Sequence, residues 1–450
     1  MSSKYDPVSG RVITVFLHYA IPSVVGMLCL SSAFMIDGIF IGNFVGTVAL
    51  AAVNLAMPVW SGLFAVITML AIGSAVMCGK YLGEEDYSAA KDIFTKSLTC
   101  SVFIALLSCL LGIVFLDSLV VALGATVELA PLVSNYLVII FAFSPAFLLG
   151  FFLFYFVRID SNPLLASFSL IASAFINVLL DWFFIVELEM GIAGAAYATG
   201  MAHGSVLLVL LPHFFRRASR LKLIHLAGSW SANPKALANG FSEFANEMSI
   251  GLTTLLLNWI MITRLGVSGV AAFTIVNYLF FIGLMTFYGI GESLQPLISK
   301  NYGARQAAKM SDFVRIALVS NLLIAIVLCG ILLTLPQILI GFFLQPGEGA
   351  TMDIATRFLY YFWPAFLFSG MNITLSGFFT ACHKPGLSAS IALSRSLVLP
   401  LLFLLTLPVW LGDIGVFISI PLAECITFIM ALVFISKNKP RHIVDALTTP

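Results

Sequence analysis

Four polar side chains stand within apolar stretches of the first half of the chain, where ionisable groups are costly and usually functional. Asp37 follows "LSSAFMI", and Asn177 and Asp181 stand four residues apart in "INVLLDWFFI", so both project from one helical face. Thr199 stands in "GIAGAAYATG". Counted along the predicted spans, these side chains lie at similar depth, and we expect them to meet at one level of the membrane.

Two kinds of ion chemistry suit this set. Apolar surroundings disfavour a charged carboxylate, and a second carboxylate nearby disfavours double ionisation, so Asp37 and Asp181 could share one proton and titrate as a pair. Alternatively, oxygen atoms of Asp37, Asn177, Asp181 and Thr199 could replace the water around a hard cation such as Na⁺. A purely structural role, in which the four residues only join helices by hydrogen bonds, is the third interpretation.

The second half does not copy this set, because Leu399 and Phe403 stand at the positions that match Asn177 and Asp181. The polar residues deep in its spans form a candidate cluster of Glu243, Glu247, Glu292 and Arg395. Arg395 could neutralise one of the three glutamates. The cluster is interpreted as a structural ion pair, as a lining of the inward-facing cavity or as a second coupling site.

Pro22 lies in the same predicted span as Asp37, fifteen residues before it. Proline removes a backbone hydrogen bond and permits a kink. The first helix could therefore bend when Asp37 changes its charge, although a static kink fits the sequence equally well.

These residues must be positioned by membrane-spanning elements. The chain has 450 residues, of which 60% are hydrophobic and 10% charged, and its mean hydropathy is +1.07. A soluble domain is about 25% charged, so composition predicts a membrane protein.

The net charge of +1 argues against a nucleic-acid partner. The seven cysteines form no CxxC pair and are interpreted as packing residues, and no cofactor is expected.

Crossing a bilayer as a helix takes about 20 apolar residues. The apolar segments lack the period-2 alternation of a membrane β-barrel. No signal peptide is evident, so we expect the first span to remain as a helix. The twelve predicted spans are 14–43, 50–79, 93–117, 131–157, 162–187, 191–214, 236–264, 271–299, 312–342, 354–381, 386–409 and 414–436.

The basic residues are distributed on one side of these spans. Lys and Arg stand in the N-terminal segment, in the even-numbered connections and in the C-terminal tail, whereas the other side shows only Arg264 and Arg357. The positive-inside rule therefore predicts that both termini are cytoplasmic.

The two halves of the chain repeat. "GKYLGEEDYSAAKDIF" (79–94) matches "SKNYGARQAAKMSDF" (299–313), and "GTVALAAVN" (46–54) matches "GVSGVAAFT" (266–274). Because each half has an even number of spans, both copies insert in the same orientation, as in some transporter folds. Duplication combined with buried carboxylates favours a coupled carrier with alternating access over a rigid channel or receptor. The predicted divisions are an N-terminal segment (1–13), an N-lobe (14–214), a linker (215–235), a C-lobe (236–436) and a tail (437–450).

Several of these motifs together resemble the multidrug and toxic compound extrusion (MATE) family of the MOP superfamily. The resemblance covers residues 12–436, and in style the chain is similar to the bacterial DinF-like and MepA-like members. It implies an all-α membrane protein of twelve transmembrane helices in two pseudo-symmetric six-helix lobes. The motifs that carry it are Pro22 with "IDGIFIG", "AAVNLAMP" (51–58), "GKYLGEEDYSAAK" with "SKNYGARQAAK", and "INVLLDWFFI" (176–185).

The resemblance also implies multidrug efflux, in which cationic, amphipathic compounds leave in exchange for H⁺ or Na⁺. We expect a monomer in the bacterial inner membrane with a role in antibiotic resistance. In related members the N-lobe ion site consists of residues whose positions fall on Asp37, Asn177, Asp181 and Thr199. The helix-7 glutamate of sodium-driven relatives matches Glu247, but residues 358–383 lack their helix-10 carboxylate, which favours N-lobe coupling.

Two other classes of protein are less well matched. A flippase for a lipid-linked or amphipathic lipid is the alternative within the superfamily, and it is expected to use several basic residues for phosphate. Arg395 is the only basic residue deep in a predicted span. An intramembrane enzyme is expected to show a motif such as HExxH or GxSxG, and the sequence contains neither. We therefore expect a transporter that is not an enzyme.

Overall fold

The computed structural model describes residues 3–226, 228–344 and 348–446, and every regular element within these ranges is a helix. The longer helices are α1 (Val12–Phe40), α2 (Thr47–Gly83), α3 (Tyr87–Val114), α4 (Ala130–Ile159), α5 (Pro163–Asp181), α6 (Gly191–Leu210), α7 (Ala232–Gly266), α8 (Ser268–Gly303), α9 (Ala307–Thr334), α10 (Gly349–Phe362), α11 (Pro364–Ala381), α12 (Pro385–Leu393), α13 (Leu399–Leu411) and α14 (Asp413–Lys437). Shorter helices follow α3, α9 and α14, at Leu116–Ala122, Pro336–Gly341 and Pro440–Asp445.

The predicted all-helical membrane fold is confirmed, and one span is divided. Within the described ranges, eleven helices are long and apolar enough to cross a membrane. The remaining predicted span, 354–381, is interrupted at Trp363, where α10 ends and α11 begins with Pro364. Proline has no amide hydrogen and therefore cannot donate to the preceding turn of α10.

The backbone repeats between the two halves, as the sequence motifs predict. Residues with positive φ recur at separations of 220, 220, 222 and 221 residues in the pairs Gly46/Gly266, Glu85/Arg305, Ser161/His383 and Gly191/Gly412. Gly46 has φ 113° and ψ 167°, and Gly266 has φ 64° and ψ −157°. Both conformations lie in a region that is essentially restricted to glycine, so each half needs glycine between its first two helices.

The helices form two compact units. The first-half unit comprises Val25–Gly240, and its core includes the fully buried Phe147 and Phe152 of α4. The second-half unit comprises Met1–Val24 together with Phe241–Pro450.

The beginning of the chain packs within the second-half unit. Asn301 Nδ2 donates to the Pro7 carbonyl at 3.0 Å, and Lys309 Nζ donates to the Val8 carbonyl.

The predicted domain limits stay predictions. Residues 1–2, 227 and 447–450, which belong to the predicted N-terminal segment, linker and tail, lie outside the described residues.

Candidate functional site

Asp37 and Asp181 each stand near the carboxyl end of an α-helix, directly before a wider π-helical segment. Asp37 lies in the last turn of α1, which continues as a π-helix at Ile41–Val45. Asp181 is the last residue of α5, and a π-helix follows at Trp182–Glu187. Such segments are rare in proteins and are frequently found at functional sites.

The structure brings the predicted ion-site residues together inside the first-half unit. Asp37, Asn177, Asp181 and Thr199 are all buried, and Asp181 is completely inaccessible. The carboxyl groups of Asp37 and Asp181 lie close enough to interact with each other. Asn177 lies one turn before Asp181 on the same helix. Two acids from different helices therefore share one apolar environment.

Several oxygen atoms of this site have no hydrogen-bond partner within the described part of the chain. They are Asp37 Oδ1, both carboxylate oxygens of Asp181 and Thr199 Oγ1. A buried acceptor without a partner costs about 1–3 kcal/mol, and more if it is charged. A proton shared between the carboxylates would supply a donor, and a cation would supply a ligand-binding partner for the same oxygens. These oxygens, with that of Asn177, are the available ligands for Na⁺.

Tyr136 completes the first-half site, and the sequence did not reveal it. This fully buried residue of α4 lies within interaction range of Asp37, Asp181 and Thr199. Its hydroxyl accepts a hydrogen bond from Trp60 Nε1 at 3.3 Å, which leaves the O–H free to donate. The Trp60 ring is in turn held against Phe147, at 4.8 Å between ring centroids. A search of apolar spans for hydroxyl groups as well as acids, at the depth of Asp37, would have found Tyr136.

Arg395 in the second-half unit is paired with Glu424, a residue that the sequence reasoning missed. Arg395 Nη2 donates to Glu424 Oε1 at 2.8 Å, and Nε donates to both carboxylate oxygens at 3.2 and 3.4 Å. Ser369 Oγ and Asn372 Nδ2 also donate to this carboxylate, at 2.8 and 2.7 Å. Glu424 carried the same signal as Asp37, a single acid within the apolar stretch "PLAECITFI". The ion pair that the structure shows for Arg395 is formed with Glu424 of α14, a glutamate outside the predicted set.

The three predicted glutamates lie near this pair, and Glu243 is within electrostatic range of Arg395. Glu243, Glu292 and Arg395 line one small polar cavity of about 30 Å³. Glu247 lies within electrostatic range of Glu292. Arg395 itself belongs to a π-helical segment, Ser394–Val398, between α12 and α13.

A second, larger cavity of about 150 Å³ also borders Arg395 within the same unit. Its lining includes Phe273, Phe280 and Phe358 together with the Arg395–Glu424 pair. The second-half unit thus holds an apolar cavity next to a charge pair that is already neutral.

Pro22 lies inside α1, which continues through it as an α-helix from Val12 to Phe40. Its role in bending α1 stays a prediction.

No group of three or more His, Cys, Asp or Glu side chains that could hold a metal ion occurs within residues 3–226, 228–344 and 348–446.

Comparison with known families and curated proteins finds matches along most of the chain. The family model MatE matches residues 22–183 and 247–405. The multidrug export protein MepA of Staphylococcus aureus (strain NCTC 8325 / PS 47) is 24% identical over 440 residues, which is 96% of each chain. MepA of Staphylococcus saprophyticus is 24% identical over 445 residues, covering 97% of this chain and 96% of the relative.

Solved structures share the fold over the whole chain. A MOP superfamily transporter from Pyrococcus furiosus superimposes with a TM-score of 0.91 at 20% identity, covering 100% of both chains. A multidrug resistance MATE family transporter of the MOP superfamily in its outward-facing conformation gives a TM-score of 0.91 at 21% identity. That comparison covers 100% of this chain and 99% of the other. At these identities the likeness shows the fold.

Proposed function

The chain belongs to the MatE family of membrane transporters, and on that premise we propose that it is an antiporter that exports cationic or amphipathic drug-like compounds in exchange for H⁺ or Na⁺. The multidrug export proteins to which it is similar match nearly its whole length, which supports drug-like substrates. The distribution of Lys and Arg supports a cytoplasmic position for both termini. The similarity to bacterial proteins supports a bacterial cytoplasmic (inner) membrane.

The observation that carries the ion-coupling part of the proposal is the facing pair of buried carboxylates. Asp37 and Asp181 lie within range of each other, and three of their four oxygens have no partner among the described residues. Two charged carboxylates in this setting repel each other and lack hydration. Binding of one proton converts the repulsion into an O–H···O hydrogen bond, and binding of Na⁺ neutralises one charge directly. The site therefore favours one ion at a time.

The two carboxyl groups belong to different helices, so binding of an ion between them changes the force that acts on those helices. Asp37 belongs to α1 and Asp181 to α5, so the force between the carboxyl groups acts between the ends of two spans. Repulsion separates these ends, and an ion draws them together. A carrier needs such a difference between its ion-bound and ion-free states in order to exchange ion for substrate.

A lipid flippase is less well supported. Recognition of a lipid phosphate favours free Arg or Lys side chains along the transport path. Arg395 is committed to Glu424 by three hydrogen bonds, so its charge is already balanced.

The proposal is tested by drug efflux from proteoliposomes, using the Asp37→Asn variant. Efflux is measured first under a pH gradient without sodium and then under a sodium gradient at constant pH. We expect the wild type to respond to one of the two gradients and Asp37→Asn to lose that response. Asp117→Asn, the same change at an exposed position, is the control and should export normally. Equal gradient-driven efflux by Asp37→Asn and the wild type would contradict the proposal.

A further inference from the structure

The connection between the two halves begins with a strongly basic stretch, "FRRASRLKLIHL", at residues 215–226. We call it the basic segment. It holds four cationic side chains within seven residues: Arg216, Arg217, Arg220 and Lys222. The chain has no Asp or Glu between Glu189 and Glu243, so no acid nearby in sequence offsets these charges. A concentration of one sign of charge attracts anions.

The basic segment is held in place on the first-half unit. Ser219 Oγ donates to Asp160 Oδ2 at 2.8 Å, and the Arg220 amide donates to Asp160 Oδ1 at 3.1 Å. The Ile224 amide donates to Thr95 Oγ1 at 3.2 Å, and Leu221 is fully buried. Both oxygens of Asp160 are thus used by the anchoring contacts. The backbone that carries the cationic side chains is therefore held within the first-half unit.

The cationic side chains of the basic segment point outward without acidic partners. Arg216, Arg217, Arg220 and Lys222 are exposed, and none of them forms an ion pair with any residue that the structure describes. Arg220 only lies over the Tyr87 ring, at 5.8 Å from its centroid. The guanidinium and ammonium groups therefore remain available to an external anion.

Apolar side chains accompany these charges at the edge of the membrane-spanning region. Phe215 is 75% exposed and Leu223 is 58% exposed. The candidate membrane span that contains α6 ends at Phe215, and the next candidate span begins at Ala232, so the connection joins two candidate spans. Exposed apolar side chains beside Arg and Lys are typical of protein surfaces that lie on lipid headgroups.

We propose that the basic segment is a binding site for anionic membrane lipids, in which Arg216, Arg217 and Lys222 contact the lipid phosphate. Free phosphate offers the same charge to these side chains. A lipid additionally covers Phe215 and Leu223 with its acyl chains, which is why the surface fits a lipid. This site is separate from the carboxylate pair and does not depend on the transported substrate.

The test measures binding of acyl-labelled phosphatidylglycerol to the full-length protein in detergent micelles by fluorescence anisotropy. The variant Arg216→Gln/Arg217→Gln/Lys222→Gln removes three charges and leaves Arg220, whose backbone anchors the segment. Lys437→Gln/Lys439→Gln/Arg441→Gln removes three exposed charges at the chain's other end and is the control. We expect roughly 100-fold weaker lipid binding for the first variant and wild-type binding for the second.

Three further arms keep the test decisive. Raising the salt concentration should weaken binding to the wild type, because the contacts are exposed charges, and this arm requires no variant. Labelled phosphatidylcholine should bind much more weakly than phosphatidylglycerol. Millimolar inorganic phosphate should displace little lipid. Equal binding by the wild type and the basic-segment variant, equal binding of the two lipids, or full displacement by inorganic phosphate would each overturn the proposal.

Discussion

A buried acid in the first half, Asp181, and one in the second half, Glu424, differ in their hydrogen bonding. In the first half, both carboxylate oxygens of Asp181 lack a donor within the described part of the chain, although the side chain is completely inaccessible. In the second half, Glu424 is 2% exposed and accepts hydrogen bonds from Ser369, Asn372 and Arg395. The backbone repeats between the halves, yet the chemistry does not. An acid without partners can respond to an incoming ion, whereas an acid whose partners are fixed can only hold its helices together.

The largest effect is expected from breaking the second-half pair. Glu424→Leu leaves the Arg395 guanidinium buried and without its counter-charge, which should cost about 3–5 kcal/mol of unfolding free energy. Arg395→Met/Glu424→Leu removes both charges and should recover most of this loss. Chemical unfolding in detergent micelles measures both variants. A single variant as stable as the wild type would show that the pair does not hold the second-half unit together.

The carboxylate-to-amide change should have opposite effects in the two halves. Asp181→Asn removes one of two facing acids and supplies a donor to Asp37, so we expect about 1–3 kcal/mol of added stability together with lost ion-driven efflux. Glu424→Gln replaces an acceptor that serves four donor groups, and we expect a loss of about 1–3 kcal/mol. Unfolding and proteoliposome efflux are measured on the same preparations. Destabilisation of similar size by both changes would remove the distinction between the halves.

The features of the two halves that depend only on hydrophobicity and on charge could be predicted from the sequence. Asp37, Asp181 and Thr199 were found because each stands at matching depth in a predicted span, and the repeat was found because its connecting loops keep similar residues. Tyr136 was missed because a hydroxyl in an apolar helix is common and gives no charge signal. Glu424 carried a charge signal, but its pairing with Arg395 depends on the packing of α14 beside the π-helical segment of Arg395. The interruption at Trp363 was missed because Pro364 can either bend or divide a helix, and the choice depends on tertiary contacts.

A smaller effect is expected from two tyrosines, the buried Tyr136 and the half-buried Tyr288, each of which lies beside one of the two acid sites. Tyr136 accepts from Trp60 at 3.3 Å, and Tyr288 accepts from Asn246 Nδ2 at 2.7 Å. Tyr136→Phe leaves the Trp60 indole N–H without its acceptor, and Tyr288→Phe does the same to Asn246 Nδ2 and, at 3.5 Å, to Arg395 Nη1. Each change should cost about 1 kcal/mol of stability. Only Tyr136 also lies beside Asp37 and Asp181, so only Tyr136→Phe should change the response of efflux to the driving ion, by several-fold. Efflux at a series of imposed gradients measures this response, and unfolding confirms that the two variants are equally stable. If Tyr288→Phe changed the gradient response as much as Tyr136→Phe, the second-half cluster would take part in coupling, and the neutral Arg395–Glu424 pair would have to open during transport.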